Sequence, residues 1–428
     1  MRFSRSGGKM KVATILFTYN RIEHTKETLD ALKQNTFIPE KLYVFQDGAR
    51  EEPKEDWMTV NKLIHSIDWC DKEIIVSDVN KGLAKSIVDG VNYAFQDNDA
   101  VIVLEDDCVP HPIFMKFMLE CLEKYKDEKS VFSINGSSDS WPSNIEDNGT
   151  DIYFAGRAGS WGWATWKDRW ELYEQDYLIL KQIKKEERLA KQLHIWGQDL
   201  EAMLKGNIDG YCDSWAVFWA LQCIKQEGFC PTPYRSLIKN IGNDGTGVHC
   251  GNVELLTNTR DWDDLSEIVL PDTIEYPPNC EEVFADRFRW TSPETRLRCY
   301  NRILHKWNML LQKKESIKNY FKERKIHTIA IWGKGDICKL ILQELSGEIK
   351  ISQIIESQPI TSEYLGIPIV GTQEITDEIE CIVVIPTFDM DGIKKKVSAE
   401  RLIIGIDEIL DILLNECNGG GTNGGGSI

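Results

Sequence analysis

The amino-acid sequence predicts an α/β protein built from two units, and three observations support this. Apolar strand segments alternate with amphipathic helical segments near the N-terminus, and a second alternation of the same kind begins near residue 328. The chain has 428 residues, 42% of them hydrophobic, so it is long enough to bury more than one core. Alternation at this spacing predicts a mostly parallel, doubly wound sheet with helices on both faces, whose ligands bind beyond the carboxyl ends of the strands.

The first unit is predicted from residue 11 to residue 265. Its strands are expected at residues 12–17, 41–46, 73–77 and 101–104, with helices at 23–34, 57–67 and 84–95 between them. Residues 130–259 are less regular and rich in Trp, Gly and Asn, which is typical of loops and of a mixed-sheet extension that shapes a site.

Residues 266–325 are predicted to be a linker with connector helices. Ser292-Pro293 is a helix start signal, and the helical pattern that follows has one apolar face and many lysines elsewhere. Such a helix packs between domains or rests on an anionic membrane surface. The second unit is predicted at residues 326–416, and the ends 1–10 and 417–428 are expected to be a disordered or added arm and a disordered Gly-rich tail.

The composition narrows the class of protein and its partners. A net charge of −18 and a pI near 5.0 disfavour a nucleic acid partner. The 12 cysteines include no CxxC pair, which favours reduced thiols over structural zinc. Because no apolar stretch approaches a membrane span and no secretion signal is found, we expect a cytoplasmic protein, with peripheral contact at the inner face of the membrane left open.

The most informative segment is an apolar strand that runs into three carboxylates, Glu105-Asp106-Asp107. Carboxylates this close raise one another's pKa unless a cation offsets their charge, and oxygen ligands suit Mg²⁺ or Mn²⁺. The alternative is a strand end whose acids face water or cap a helix. Glu105 is expected to point to the other face of the strand and to be structural.

Two further loops follow parallel strands and should open on the same edge. They carry Thr18-Tyr19-Asn20-Arg21 and Gln46-Asp47-Gly48. Such a set suits a nucleoside diphosphate: Asp47 would accept from a base imide, Arg21 would pair with phosphate and the acids would hold a metal ion. Taken alone, Gln46-Asp47-Gly48 is also typical of an ordinary turn.

Taken together, these motifs resemble a known family. Phe17-Thr18-Tyr19-Asn20-Arg21, Gln46-Asp47-Gly48, Asn80-Lys81-Gly82-Leu83-Ala84 and Glu105-Asp106-Asp107 are similar to the GT-A nucleotide-sugar glycosyltransferases, in particular the N-acetylglucosaminyltransferase I type. The run from Gly159 to Trp170 resembles bacterial family-two-like polysaccharide glycosyltransferases. The resemblance covers about residues 11 to 255 and implies a GT-A type mixed sheet.

The resemblance also implies roles for individual residues. Asp107 would be the direct metal ligand, Asp106 its neighbour facing the sugar or ribose, and Asp47 the uracil contact. The other implied donor-binding residues are Thr18, Tyr19, Arg21, Gln46 and Lys85. Within the Gly-rich loop at 240–249, whose amides are placed to close over phosphates, His249 would add a metal ligand or phosphate contact; a solvent-facing histidine is the alternative. Trp161 and Trp163 would form a loop wall for a sugar, or else belong to the core.

A catalytic base is expected in the middle region. Tyr211-Cys212-Asp213-Ser214-Trp215 resembles the Asp-Asp-Trp element that carries the base in the N-acetylglucosaminyltransferase I type, although Ser214 replaces one acid. Asp213 is the preferred candidate and Asp199 the second. Either residue is otherwise a helix N-cap or a surface acid.

The second unit contains Gly333-Lys334-Gly335 between a strand and a helix, with Glu356 closing the next strand. This arrangement resembles the small Rossmann-like modules of bacterial sugar-modifying enzymes. Cys338 stands in place of a third glycine, so a nucleotide site and a purely structural module both remain open.

The sequence therefore predicts a metal-dependent, inverting glycosyltransferase that uses Mn²⁺ or Mg²⁺ and a UDP-sugar donor. The acceptor is expected to be a carbohydrate or a lipid-linked glycan, and a homo-oligomer is compatible with the sequence. The alternatives are a non-catalytic nucleotide- or glycan-binding protein and a sugar nucleotidyltransferase. The last is disfavoured because no Gly-rich, Arg/Lys-bearing signature follows the first strand.

Overall fold

The computed structural model of the chain describes residues 10–50, 55–138, 144–210, 213–242, 267–289, 293–357, 359, 361–385, 390–394, 396–397 and 401–419. The chain divides after Arg289 into two units, each with its own sheet. The predicted α/β class is confirmed. None of the helices in the described ranges has the length and hydropathy that a membrane span requires.

The first unit is built around a six-stranded mixed sheet of order β3-β2-β1-β4-β8-β6. The first four strands are parallel, whereas β8 runs antiparallel to both β4 and β6. The strands are β1 (Val12–Thr18), β2 (Lys41–Gln46), β3 (Asp71–Val76), β4 (Ala100–Glu105), β5 (Cys108–Pro110), β6 (Ile134–Asn135), β7 (Ile152–Ala155), β8 (Trp163–Trp166), β9 (Cys230–Pro233) and β10 (Ile238–Asn240).

Within the described residues of this unit, ten helices accompany these strands. They are α1 (Ile22–Lys33), α2 (Glu55–His65), α3 (Leu83–Ala94), α4 (Phe114–Tyr125), α5 (Lys167–Trp170), α6 (Ile179–Lys185), α7 (Glu187–Trp196), α8 (Leu200–Ile208), α9 (Ala216–Lys225) and α10 (Cys280–Arg287). The predicted strands and helices before residue 105 are all present, with ends that agree within two residues.

Alternate side chains of the central strands face two separate cores, as expected of a doubly wound sheet. Leu16 and Ile102 pack with apolar side chains of α1, α2 and α4 on one face. Ile15 and Val103 pack with α3 and a group of tryptophans on the other. Helix α3 lies close to the sheet because Gly90 leaves room for the ring of Phe17, which a Cβ would approach to 2.6 Å.

Two small antiparallel pairs lie outside the central sheet. Strand β5 follows the acidic segment directly and pairs with β10, and β7 pairs with β9. The β5–β10 pair brings residues near 240 next to residues near 108, although the two segments are far apart in the sequence. This pairing positions part of the site described below.

The second unit has a six-stranded sheet of order β13-β14-β12-β11-β15-β16, parallel except for β13. Its strands are β11 (Thr328–Trp332), β12 (Lys350–Ile355), β13 (Glu363–Tyr364), β14 (Ile367–Val370), β15 (Cys381–Val384) and β16 (Leu402–Gly405). Its helices are α11 (Pro293–Gln312), α12 (Ile317–Glu323), α13 (Asp336–Leu345), α14 (Met390–Lys394) and α15 (Ile406–Gly419). The predicted second α/β unit is therefore present.

Helix α11, which the sequence presents as a connector, packs within the second unit against α15. The contact includes two ion pairs, Arg302–Asp407 and Lys306–Asp411, both at 2.6 Å. The predicted domain limits at residues 265 and 325 stay predictions. Residues 1–9 and 420–428 lie outside the described residues, whereas α15 continues to Gly419, inside the segment expected to be a tail.

Candidate active site at the strand ends

Three loops meet at one edge of the first sheet because β1, β2 and β4 are parallel and in register. Thr18 pairs with Gln46, and Phe17 pairs with Glu105, so the residues that follow these positions leave the sheet side by side. This is the arrangement expected from the sequence.

Arg21, Asp106 and Asp107 form the centre of this edge. Arg21 Nη2 donates to Asp107 Oδ2 at 2.8 Å and also to Asp106 Oδ1, and Arg21 Nε lies 3.4 Å from Asp106 Oδ2. Both aspartates are buried, with 4% and 8% of their surface exposed. Arg21 Nη1 is also buried and has no hydrogen-bond partner among the described residues.

The cluster carries more negative than positive charge. Burial, followed by the charges of Asp107 and Asp106, raises the pKa of Glu105 to about 8. Burial also raises the pKa of Asp106 to about 6, although Arg21 opposes the shift. The pKa of Arg21 is raised as well, since the charges of Asp106 and Asp107 outweigh the opposing effect of burial. One guanidinium thus pairs with two buried carboxyl groups whose charges also act on Glu105, an environment that favours a further cation.

The backbone at Ile241 and Gly242 covers Asp107. Ile241 N donates to the Asp107 carbonyl oxygen at 2.9 Å, directly after the β5–β10 pair. A Cβ at Gly242 would lie 2.9 Å from Asp107 Cγ, and closer still to Oδ2, so only glycine fits here without movement. On the other side, Thr28 Oγ1 donates to the Asp106 carbonyl oxygen at 2.8 Å. The acids are thus held between α1 and the start of the 240–249 loop.

Asp47 orders a neighbouring loop. Its carboxylate accepts from the backbone N–H groups of Gly48, Lys81 and Gly82 at 2.9 to 3.1 Å. Lys81 and Gly82 belong to the 80–84 motif, so two of the sequence motifs meet through this carboxylate. The role of Asp47 as a uracil contact stays a prediction, and such a contact would add to a carboxylate that already accepts several bonds.

Asp213 lies beside the same loop. Its Oδ2 is 3.4 Å from Ala84 N, at the start of α3, and a Cβ at Gly82 would lie 3.1 Å from this oxygen. Asp213 is exposed to solvent. The structure therefore brings Asp213 to the edge that carries Asp47, in a position that also fits the alternative of a helix cap.

Gln46 and Thr18 hold the loops in place. Gln46 is 1% exposed; its Nε2 donates to the carbonyl oxygens of Tyr19 and Trp57 at 3.1 and 3.0 Å, and its Oε1 accepts from Asn61 at 2.8 Å. Thr18 is also buried and donates to the Phe45 carbonyl oxygen at 3.3 Å. Both side chains thus bond to the protein through these atoms, and their direct contact with a donor stays a prediction.

Tyr19 and Lys85 lie nearer to solvent. Tyr19 is half-buried, and its hydroxyl accepts from Arg50 N at 3.3 Å. Lys85 is exposed and pairs with Asp89 at 3.0 Å. Their contact with a donor stays a prediction.

Asp199 occupies a different environment. Its two oxygens accept from Arg157 Nη1 and Nη2 at 2.6 and 3.0 Å, and only 3% of the residue is exposed. Arg157 also donates to the Trp196 carbonyl oxygen and lies over the ring of Phe288. With both oxygens bonded to a buried guanidinium, Asp199 is in an environment that favours a structural role, and its role as a base stays a prediction. Sequence reasoning missed Arg157 because no motif marks it.

The tryptophan run is mostly core. Trp163 begins strand β8, is 1% exposed and packs among Trp170, Trp215 and Trp219 at centroid distances of 5.0 to 5.9 Å. The burial of Trp163 fits the core alternative that the sequence left open, because all four residues of β8 are buried, and its contact with a sugar stays a prediction. Trp161 is half-buried, and its contact with a sugar stays a prediction.

His249 lies outside the described residues. Within the described ranges, no group of three or more His, Cys, Asp or Glu side chains is arranged to hold a metal ion. In the same ranges all ten cysteines are free thiols, of which Cys417 is exposed.

In the second unit, Gly333 and Gly335 adopt positive φ angles of 103° and 119° at the turn into α13. Lys334 pairs with Glu356 at 3.0 Å, so these two charged groups of the motif neutralise each other. Whether this turn binds a nucleotide stays open.

Comparison with known proteins gives one family match. Residues 14–175 match the model described as Glycosyl transferase family 2. This range contains the loops of Arg21 and Asp47 and the acidic segment, but not Asp213. No curated protein matches the sequence.

Solved structures show distant similarity. A mannosyltransferase, PcManGT from Pyrobaculum calidifontis, in complex with GDP-Man and Mn²⁺, is 10% identical with a TM-score of 0.32, over 51% of this chain and 69% of its own. TarS from S. aureus is 11% identical with a TM-score of 0.33, and the match covers 55% of this chain and 37% of TarS. GalNAc-T7 with UDP, GalNAc and Mn²⁺ is 10% identical with a TM-score of 0.33, and the match covers 53% of this chain and 43% of GalNAc-T7. No residue role is transferred from them.

Proposed function

We propose that the first unit moves a sugar from a UDP-sugar donor to a carbohydrate or lipid-linked glycan acceptor. The transfer would use a divalent metal ion and would invert the configuration at the sugar. The premise is that the chain carries a glycosyl transferase family 2 domain and is a glycosyltransferase. The observation that carries this proposal is the buried cluster of Arg21, Asp106 and Asp107 at the strand ends. It lies where ligands of a doubly wound sheet bind.

The cluster fits Mn²⁺ or Mg²⁺. Two adjacent aspartates supply oxygen ligands, which both ions prefer, and a single guanidinium leaves their charge incompletely balanced. Asp107 would hold the ion and Asp106 would flank it. A divalent ion there would stabilise the negative charge that develops on the diphosphate leaving group.

Arg21 would bind the donor diphosphate. Its buried Nη1 has no partner among the described residues, and a phosphate oxygen is the acceptor that a guanidinium binds best. The same residue would then bridge the aspartates and the phosphates, which fixes the leaving group relative to the acids.

The loop of residues 80–82, held by Asp47, would shape the pocket for the uracil base. Asp213 is exposed and lies beside the start of α3, next to this loop. It is the proposed base that takes the proton from the acceptor hydroxyl. A base on the far side of the sugar from the leaving group is what direct displacement with inversion requires.

The test is donor turnover in a panel of UDP-sugars with glycan acceptors, with Mn²⁺, with Mg²⁺ and with EDTA. We expect Mn²⁺-dependent release of UDP that falls by roughly a hundredfold or more in Asp107→Asn and in Asp213→Asn. Asp30→Asn is the matched control, because Asp30 is an exposed acid of α1 that pairs with the exposed Lys26 at 2.9 Å. The anomeric configuration of the product is read by NMR.

Two results would overturn parts of this proposal. Full activity in EDTA would contradict the proposed metal dependence. Full activity of Asp213→Asn would contradict the proposed role of Asp213 as the base. Absence of turnover with every donor, together with UDP binding that does not respond to Mn²⁺, would favour a non-catalytic binding protein.

A further inference from the structure

Helix α1 turns one face toward the candidate site, and residues of that face bind different parts of it. Arg21, His24 and Thr28 are spaced by three and four residues, so they lie on the same side of the helix. Arg21 binds the carboxylates of Asp106 and Asp107, and Thr28 donates to the carbonyl oxygen of Asp106. His24 lies between these two residues, and its partner is the backbone that covers the acids.

His24 bonds to this covering backbone directly after β10. Its Nε2 lies 3.2 Å from the carbonyl oxygen of Ile241. A carbonyl oxygen can only accept a hydrogen bond, so Nε2 carries the proton and donates it. The ring is half-buried, which limits the competition of water for this bond.

The segment from Asn240 to Gly242 is bonded at each of its peptide groups that face the site. Ile241 N donates to the Asp107 carbonyl oxygen at 2.9 Å, and Gly242 N donates to Asn240 Oδ1 at 3.0 Å. The Ile241 carbonyl group and the Gly242 N–H belong to the same peptide group. That peptide group is therefore held at its oxygen by His24 and at its nitrogen by Asn240.

The position of this peptide group matters because Gly242 lies against the acids. A Cβ at Gly242 would lie 2.9 Å from Asp107 Cγ and 3.2 Å from Arg21 Nη1. The Gly242 backbone thus lies beside the carboxylate proposed to hold the metal ion and beside the guanidinium proposed to bind the diphosphate. A rotation of the peptide group would change the space in which both groups meet a donor.

We propose that His24 is a positioning residue for the donor diphosphate. It does not touch the donor; it fixes the Ile241–Gly242 peptide group beside Asp107 and Arg21, so that these two side chains are already arranged when the donor binds. This inference rests on the proposed function, since it takes Asp107 and Arg21 as the groups that bind the donor. Loss of the bond weakens donor binding more than the chemical step, because the reacting groups themselves are unchanged.

The first test is the affinity of the full chain for UDP in the presence of Mn²⁺, measured by calorimetry. One hydrogen bond contributes a factor of about three to ten to an equilibrium constant, so we expect the dissociation constant of His24→Leu to rise by that factor. His24→Asn should show the same loss, because its amide is too short to reach Ile241. His24→Gln keeps an N–H donor at a similar reach and should stay within about twofold of the wild type.

His65→Leu is the matched control for these variants. His65 is an exposed histidine of α2 that bonds to the Asn61 carbonyl oxygen of its own helix at 2.7 Å. We expect its affinity for UDP to equal that of the wild type.

The second test needs no donor and no metal ion. Hydrogen–deuterium exchange of the ligand-free chain should be faster at the amides of Ile241 and Gly242 in His24→Leu, and at the wild-type rate in His24→Gln. In steady-state kinetics with a UDP-sugar, the donor KM of His24→Leu should rise by about three to ten times while kcat stays within about twofold.

These readouts separate this inference from the proposed function. A wild type that binds no UDP, with faster exchange in His24→Leu, would overturn the proposed function and the role of the donor while keeping His24 as the residue that holds the segment. Unchanged exchange and unchanged UDP affinity in His24→Leu would overturn the inference and leave the proposed function intact. A His24→Gln variant as weak as His24→Leu would also overturn it, as would a fall in kcat at constant KM, which would place His24 in the chemical step.

Discussion

Replacing Gly242 with alanine tests the geometry around Asp107 most directly. The new Cβ would lie 2.9 Å from Asp107 Cγ and 3.2 Å from Arg21 Nη1. Carbon atoms in ordinary contact are about 3.5 to 4.0 Å apart, so the carboxylate or the backbone must move by about 0.6 to 1 Å. Moving the carboxylate disturbs its 2.8 Å bond with Arg21, and moving the backbone disturbs the bond from Ile241 N to the Asp107 carbonyl oxygen.

Either movement has a cost that can be estimated. A hydrogen bond to a charged group is worth about 1.5 to 3 kcal/mol, and overpacking a well-filled site costs about 1 to 3 kcal/mol. We therefore expect the free energy of unfolding of Gly242→Ala to fall by about 1 to 3 kcal/mol in urea. A catalytic group displaced by about 1 Å loses about a hundredfold in rate, so kcat/KM for UDP-sugar turnover should fall by that factor.

The matched control is Gly371→Ala, where a Cβ would meet its nearest atoms at 3.4 and 4.0 Å. Its stability and activity should stay within experimental error of the wild type. The reasoning is refuted if Gly242→Ala has wild-type stability and wild-type kcat/KM. A loss of stability without any loss of activity would leave the packing argument intact and remove Asp107 from the proposed mechanism.

Three further substitutions separate structural from catalytic roles. Asp199→Asn should lower the free energy of unfolding by about 3 to 5 kcal/mol, because it leaves the buried charge of Arg157 without its counter-ion. The double variant Arg157→Met/Asp199→Leu should recover most of this loss in urea unfolding. An Asp199→Asn variant that is stable but inactive would contradict the structural role. Asp47→Asn should cost about 1 to 3 kcal/mol and raise amide exchange in the 80–82 loop, measured by hydrogen–deuterium exchange, with unchanged exchange as the contrary result. Trp163→Ala should cost about 3 to 5 kcal/mol in urea unfolding, whereas a stable variant with a raised donor KM would restore Trp163 as a sugar contact.

The fold of both units could be predicted from the sequence because local patterns determine it. The apolar runs of β1 and β4 and the helical periodicity of α3 indicate an alternating parallel sheet, and the carboxyl ends of its strands then meet without further information. The meeting of Arg21 with Asp106 and Asp107 is a consequence of this topology.

The environments of single polar residues could not be predicted in the same way. Gln46 and Asp47 are adjacent in the sequence, yet one is a buried link between loops and the other caps the 80–82 loop. Asp199 finds its partner Arg157 through a tertiary contact that a single sequence does not encode. The sequence left both a loop wall and the core open for Trp163, because short apolar runs with glycines are compatible with both a loop and a buried strand, and in the structure it begins the buried strand β8.

The pairing of β5 with β10 has a consequence for how the site is made. The acids at the end of β4 belong to the first part of the chain to be synthesised, but their cover at Ile241 and Gly242 arrives only after the whole middle region has been added. Contacts between residues so distant in sequence form late in folding, because the intervening chain must first lose its conformational freedom. The Arg21 cluster is therefore expected to stay open to water in a growing or truncated chain, and to become a closed, ordered site only when β10 docks.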